Sequence, residues 1–172
     1  MPMRLIILGA GGYGRTVADV AAQTGDYDEI RFLDDNSQTA DIIGKCADFA
    51  SFADEQTAFY PAFGNNEGRV SWLHRLVEAG CKVATIIHPS SYVSPTVCMD
   101  QGNVVLPKAV INTGCEVKAG CIVNCGAIVD HGCVLEEGVH VCLGAIVKAE
   151  NRIPRCMKIE AGQVIENRTY PL

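Results

Sequence analysis

Every sixth residue from Ile87 to Ile165 is aliphatic or methionine: Ile87, Val93, Met99, Val105, Ile111, Val117, Val123, Val129, Leu135, Val141, Val147, Ile153, Ile159 and Ile165. In a chain that is 48% hydrophobic, fourteen consecutive hits would arise by chance roughly once in 30,000 tries per register. Glycine keeps the same beat three residues later, at Gly102, Gly114, Gly120, Gly126, Gly132, Gly138, Gly144 and Gly162. Four residues after many of the aliphatics stands a small side chain: Ala109, Cys115, Cys121, Ala127, Cys133 and Ala145. A period of six fits neither the 3.6 of a helix nor the alternation of an ordinary strand. It predicts a parallel β-helix, in which short strands alternate with tight corners and stacked repeats share one core.

In such a coil the aliphatic residue points into a narrow prism, and the small residue faces inward where a larger one would not fit. Glycine takes the corner because positive φ costs it nothing. The pattern resembles the left-handed β-helix of the hexapeptide acyltransferases, in which three hexads make one triangular coil; that resemblance implies that residues eighteen apart stack and that the hexads give about four coils. The period alone leaves a non-catalytic solenoid open.

The net charge of −6 and the lack of a basic run argue against a nucleic-acid or anionic-membrane partner. Met1 to Ala10 is too short for a signal peptide, and no stretch reaches the roughly 18 apolar residues of a membrane span. The expected location is cytoplasmic. Nine cysteines could suggest a disulfide scaffold, but Cys115, Cys121 and Cys133 fall in the inward slot, where Cys acts as a slightly larger Ala. Cys121, Cys125 and Cys133 could suggest zinc. No CxxC pair occurs, so reduced structural thiols and no metal are expected.

Residues 1–85 read differently. Met3 to Leu8 is an apolar strand, and Gly9-Ala10-Gly11-Gly12-Tyr13-Gly14 opens a helix through Val17, Val20 and Ala21. Further strands are predicted at Ile30–Leu33, Ala58–Phe63 and Lys82–Ile87, with a helix from Glu67 to Ala79. The alternation predicts a small parallel α/β sheet, a Rossmann-like half-domain over 1–85 followed by the β-helix over 86–172. The turn is a GxGxxG between strand and helix, with Asp34 and Asp35 about 20 residues on. It suits a pyrophosphate at a helix N-terminus, with the acids near a ribose or base. About 85 residues make only half of a dinucleotide fold, which favours a mononucleotide or nucleotide-sugar over NAD. A tight turn that merely closes a small domain is the alternative.

The order GAGGYG, FLDD (Phe32–Asp35), FGNN (Phe63–Asn66), IIHPSSYVSP (Ile86–Pro95) and then hexads resembles the bacterial sugar acetyltransferases with a left-handed β-helix. These include the UDP-amino-sugar N-acetyltransferases of the bacillosamine pathway and the sialic acid O-acetyltransferases. The resemblance spans Met3 to about Ile165. It implies a homotrimer that uses acetyl-CoA, with the active site between neighbouring β-helices. A UDP-amino-sugar is the acceptor it suggests first. Gly11, Gly12, Tyr13, Asp34, Asp35 and Gly64 match the family's nucleotide-sugar contacts.

Of the four histidines, His74 lies on a predicted helix surface and His88 in the interdomain link, where a structural hydrogen bond is expected. By the resemblance His131 matches the general base, and an imidazole suits that role near neutral pH. Asp130 is the acid that could orient it. His140 matches a second histidine, one that contacts acetyl-CoA or the acceptor. The Ala149 amide, one coil above His131, is the candidate donor to an oxyanion. A solvated corner histidine is the alternative for both His131 and His140. Two departures stand out. Bacillosamine-type relatives have an acid directly after the catalytic histidine, where this chain has Gly132. Longer relatives continue for about two more coils that hold the adenosine end of CoA, so the C-terminus here is short.

The leading expectation is acetyl transfer from acetyl-CoA to an amine or hydroxyl of a nucleotide-linked sugar. The rival is a nucleotide-sugar-binding trimer with weak or no catalysis. A β-helical metalloenzyme of the carbonic anhydrase type would need three metal histidines. Apart from His88 at the junction, the hexads supply only His131 and His140.

Overall fold

The computed structural model describes residues 3–37 and 39–172. The chain divides into two compact units, Met1–Ile86 and Ile87–Leu172.

The first unit is a five-stranded parallel sheet. Its elements are β1 (Arg4–Leu8), α1 (Gly12–Thr24), β2 (Glu29–Leu33), β3 (Ile42–Gly44), a 3-10 turn at Cys46–Phe52, β4 (Thr57–Pro61), α2 (Asn66–Glu78) and β5 (Lys82–Val83). The strand order is β3-β2-β1-β4-β5. β1 lies at the centre, and Leu5, Ile6, Ile7 and Leu8 are wholly buried, as a parallel strand covered on both faces requires. The Val17, Val20 and Ala21 stripe buries α1 against the sheet. α1 stops at Gly25, which takes φ 77° in the left-handed region.

β3 and the 3-10 turn carry no hydrophobic period that a sequence reading could detect. β3 is only three residues long and forms by pairing with the end of β2. The strand expected over Lys82–Ile87 is two strands in two different sheets. β5 pairs with β4, whereas Ile86–Ile87 pairs with Val104–Val105. Their shared apolar run hid the break at Ala84-Thr85.

The second unit is a parallel β-helix of two-residue strands, whose three faces hold five, four and five strands. The register is eighteen residues per coil throughout: Val93, Ile111, Val129, Val147 and Ile165 lie in one column. From Val105 to Ile165 every member of the six-residue series is buried. Ile87, Val93 and Met99, in the first coil with none beneath it, are only partly covered. At the other end Tyr170 packs on the core and its N–H and C=O bond Asn151 Oδ1 and the Arg152 N–H.

Corner glycines from Gly102 to Gly162 all take positive φ, between 61° and 76°. The inward thiols are not only fillers. Cys115 Sγ donates to the Asp130 carbonyl (3.1 Å), Cys121 Sγ to Glu136 (3.1 Å) and Cys133 Sγ to Lys148 (3.2 Å). Each bonds a carbonyl fifteen residues on that takes no part in strand pairing. All nine cysteines are free thiols.

Candidate active site

The corner that carries His131 is built by a repeated local device. After each inward aliphatic on this face stands a polar residue: Asn112 after Ile111, Asp130 after Val129 and Lys148 after Val147. Asn112 Oδ1 accepts the Thr113 N–H at 2.8 Å, and Asp130 Oδ1 accepts the His131 N–H at 2.7 Å. Short Asx side chains make such local caps because their oxygen reaches the neighbouring amide. Asn112 Nδ2 also donates to Asp130 Oδ1 at 3.2 Å, tying the two coils together. Asp130 therefore fixes His131 through its backbone. The imidazole side chain stands exposed at the corner.

One coil higher the device is interrupted. Lys148 has no acceptor to offer, and its ammonium pairs with Glu166 at 2.5 Å. The Ala149 N–H thus lacks the cap that Thr113 and His131 receive, although Ala149 is only 6% exposed. An uncapped amide above a histidine is suited to a developing negative charge.

His140 lies elsewhere. It opens the strand His140–Val141, nine residues and so half a coil from His131. His131 sits at the corner between the faces of Ile128–Val129 and Val134–Leu135, and His140 points outward from the third face. One prism cannot bring the two rings into one site. Asn124 Oδ1 accepts the Cys125 N–H (2.8 Å), which fixes the amide, so Nδ2 donates to His140 Nε2 (3.1 Å). The ring proton then resides on Nδ1.

The other histidines have plain surroundings. His74 is exposed on α2, and His88 Nδ1 accepts the Ser90 N–H at 2.9 Å. Among the described residues no cluster of three His, Cys, Asp or Glu is placed to hold a metal, and no helix is long and apolar enough to cross a membrane.

In the first unit β1 and β4 are neighbours whose following segments lead to α1 and α2 on either side of the strand-order reversal, where open α/β sheets receive ligands. The glycines there have separable reasons. A Cβ on Gly14 would stand 2.0 Å from the Gly9 carbonyl oxygen, so this residue is glycine for packing. Gly11, Gly12 and Gly64 have no heavy atom within 4 Å of a would-be Cβ; their open side is toward solvent. The Gly11–Gly12 segment caps α1 with no side-chain bond, so its amides meet whatever approaches.

Asp34 and Asp35 serve this turn in another way. Asp34 Oδ2 accepts the Ala10 N–H at 2.7 Å, and Oδ1 accepts Asn36 and Ser37 (2.8 Å each). The Ala10 bond is the main cause holding its carboxyl below the usual range. Asp35 accepts the Cys46 N–H at 3.1 Å. Both line a cavity of about 370 Å³ with Thr39, Ile42 and Lys45. Three further residues stand at this end of the sheet. The Tyr13 and Tyr60 hydroxyls share a hydrogen bond of 2.6 Å, and burial raises the Tyr13 phenol well above its usual range. Arg69 is wholly buried and donates to the Phe63 carbonyl. Arg69 gave no sequence signal, since an arginine on a helix is read as surface.

Residues 4–76 match the family of PglD N-terminal domains. The acetyltransferase domain of PglB from Neisseria gonorrhoeae, solved in complex with acetyl coenzyme A, superposes with a TM-score of 0.94. The two are 36% identical, over 98% of this chain and 84% of that one. This chain is a left-handed β-helix sugar acetyltransferase. PerB from Caulobacter crescentus, solved in complex with CoA and GDP-perosamine, shares the fold at 20% identity, with a TM-score of 0.76 over 98% of this chain and 91% of that one.

Proposed function

We propose that this acetyltransferase moves the acetyl group of acetyl-CoA to an amine or hydroxyl of a nucleotide-linked sugar, with His131 as general base. The observation that carries the reading is the pairing of an exposed imidazole, whose backbone N–H is held by Asp130, with the uncapped Ala149 amide one coil above. Acetyl-CoA would supply the thioester. His131 would take the proton as the acceptor N–H or O–H attacks the thioester carbon, the C–S bond breaks, and CoA leaves as the thiol. The Ala149 N–H would meet the oxyanion. His140 would contact the acetyl donor or the acceptor.

His131 and His140 can share a site only if it forms between chains, which supports a closed trimer. A face for that contact exists. Tyr92, Val110, Ile128, Ile146 and Val164 form an outward apolar column on the His131 side, and Tyr92, Ile128 and Val164 are 54%, 38% and 44% exposed. Ladders of five apolar residues on one face suit burial against a copy of the chain. In the first unit the open backbone at Gly11, Gly12 and Tyr13, with Gly64 opposite, suits a diphosphate. Asp34 and Asp35 would meet the nucleoside from the rim. A single five-stranded half-fold favours a UDP-amino-sugar over NAD.

The deciding experiment follows CoA release from acetyl-CoA with a panel of UDP- and other nucleotide-linked amino-sugars. His131→Ala is expected to lower kcat by about 10² to 10⁴ and to leave KM for acetyl-CoA nearly unchanged. A variant with full rate would place the base elsewhere. A parent protein that releases no CoA with any acceptor would favour the non-catalytic binding trimer.

A further inference from the structure

We propose that Arg15 is a positioning residue for the nucleotide end of the substrate. It latches the wall of the cavity beside Asp34 and Asp35 to the glycine turn, so that a nucleoside and its diphosphate meet one preformed surface. The proposal rests on the reading of the first unit as the nucleotide-sugar site.

Ala10 lies between β1 and α1, at the head of the open Gly11–Gly12 segment, and it is gripped on both sides. Its N–H donates to Asp34 Oδ2 at 2.7 Å, and its carbonyl accepts Arg15 Nε at 3.3 Å. Both partners also hold the connection from β2 to β3. The other Asp34 oxygen accepts the Asn36 and Ser37 N–H groups at 2.8 Å each. Arg15 Nη2 donates to Thr39 Oγ1 at 2.9 Å and to Asp41 Oδ1 at 3.3 Å, and Nη1 donates to Asp41 Oδ2. Ser37 and Thr39 line the cavity of about 370 Å³ together with Asp34 and Asp35. The nucleoside wall and the phosphate turn are thus joined through one residue, at two points.

The guanidinium lies over the Phe32 ring, 4.2 Å from its centroid, and Phe32 is buried, so the long side chain is laid along β2. Its acceptors are fixed in turn. Thr39 Oγ1 donates to Asp41 Oδ1 at 2.6 Å. The Phe32 N–H donates to the Asp41 carbonyl and the Ile42 N–H to that of Thr39, at 3.0 Å each. The Arg15 bond holds the Asp41 carboxyl down at about 2, so the pair stays ionised across the neutral range. A lone exposed ion pair contributes little, but here one planar fork serves three residues and an aromatic face. Nε, Nη1 and Nη2 are all committed, which makes Arg15 a brace behind the turn and not a ligand of the diphosphate.

Without the latch, binding has to order the wall itself. Fixing the backbone of one residue corresponds to a ratio of about 5- to 30-fold. Calorimetry with UDP, GDP and CDP is expected to show Arg15→Gln and Asp41→Asn binding the parent's nucleotide more weakly by that factor. The double variant is expected to lose no more than the larger single, because the two residues act as one device. Arg15→Lys keeps the charge but lacks the fork, and is expected to lose affinity as Arg15→Gln does. In the acetyl-transfer assay KM for the nucleotide-sugar rises by the same factor, while kcat and KM for acetyl-CoA stay within about twofold. If the variants melt lower but bind as the parent does, Arg15 only braces the fold, and the proposal fails while the nucleotide reading stands. Loss in Arg15→Gln with parental or tighter binding in Asp41→Asn, or full affinity in Arg15→Lys, would make Arg15 a direct contact of the diphosphate and overturn the latch. A parent that binds none of the three nucleotides removes the nucleotide reading itself, and the latch with it.

Discussion

Replacing Gly14 by alanine separates packing from ligand contact in the glycine turn. A Cβ at Gly14 meets the Gly9 carbonyl oxygen at 2.0 Å and its carbon at 3.0 Å, with Ala62 Cβ at 3.6 Å behind. Ordinary contact begins near 3.4 Å, so the start of α1 must move by about 1.4 Å from the end of β1. The turn cannot give way at the other side. Gly9 N–H is bonded to the Leu33 carbonyl and Ala62 N–H to that of Leu8, at 2.8 Å each. Overpacking of this kind costs about 3 kcal/mol or more when the obstacle is backbone. For a chain of this length that lowers Tm by at least about 6 °C. Gly12→Ala is the matched control. Its Cβ meets nothing within 4 Å and it begins a helix, where alanine is the better residue. The expected result is an unchanged or slightly higher Tm and weakened binding of a UDP-amino-sugar by calorimetry. A Gly14→Ala protein melting within about 2 °C of the parent would refute the steric argument. A Gly12→Ala protein with parental affinity would remove the turn from the ligand contact.

Lys148→Asn is expected to cap the Ala149 N–H as Asn112 caps Thr113, lowering kcat by about 10- to 100-fold with no loss of Tm; an unchanged kcat would show that this amide does not meet the reacting carbonyl. Asp34→Ala is expected to destabilise the first unit at neutral pH. Because folding depresses the Asp34 pKa, its contribution is fully present above the unfolded value near 4 and is lost as pH falls through the lower folded value. The difference in Tm between variant and parent therefore narrows below about pH 4, and a difference independent of pH would argue against a carboxylate role. Glu substitutions at Ile128 and Ile146 place charge on the outward apolar column and are expected to convert a trimer to monomer in sedimentation, with loss of activity. Retention of the parental mass would move the interface to another face.

The β-helix could be read residue by residue because each coil repeats the same requirement. The apolar position shows itself fourteen times in the hexads and the corner glycine eight times, whereas β3 and the 3-10 turn appear once each with no period to mark them. The site was less legible. His131 and Ala149 are candidates by their place in the beat and by the family resemblance. Lys108, Glu150, Cys156 and Arg168 take the glycine corner with positive φ, which the residue pattern did not mark. Asp34 and Asp35 matched a ligand motif, and the structure gives both carboxylates backbone partners that no spacing could reveal.

The six-residue period by itself determined the architecture, because a closed prism admits one residue class at each inward slot and a positive φ at each corner. The strand-and-helix alternation determined the half-sheet before it. Only the tertiary structure decided which side chains meet. Nine residues look close in sequence, yet in a coil of eighteen they put His140 on the face opposite the His131 corner. Eighteen residues look distant, yet they set Glu150 against Gly132 and Ala149 above His131. Hydrophobic patterning is a one-dimensional signal of burial, whereas the partners of polar atoms depend on stacking and on the direction each carboxylate or amide takes at its own corner.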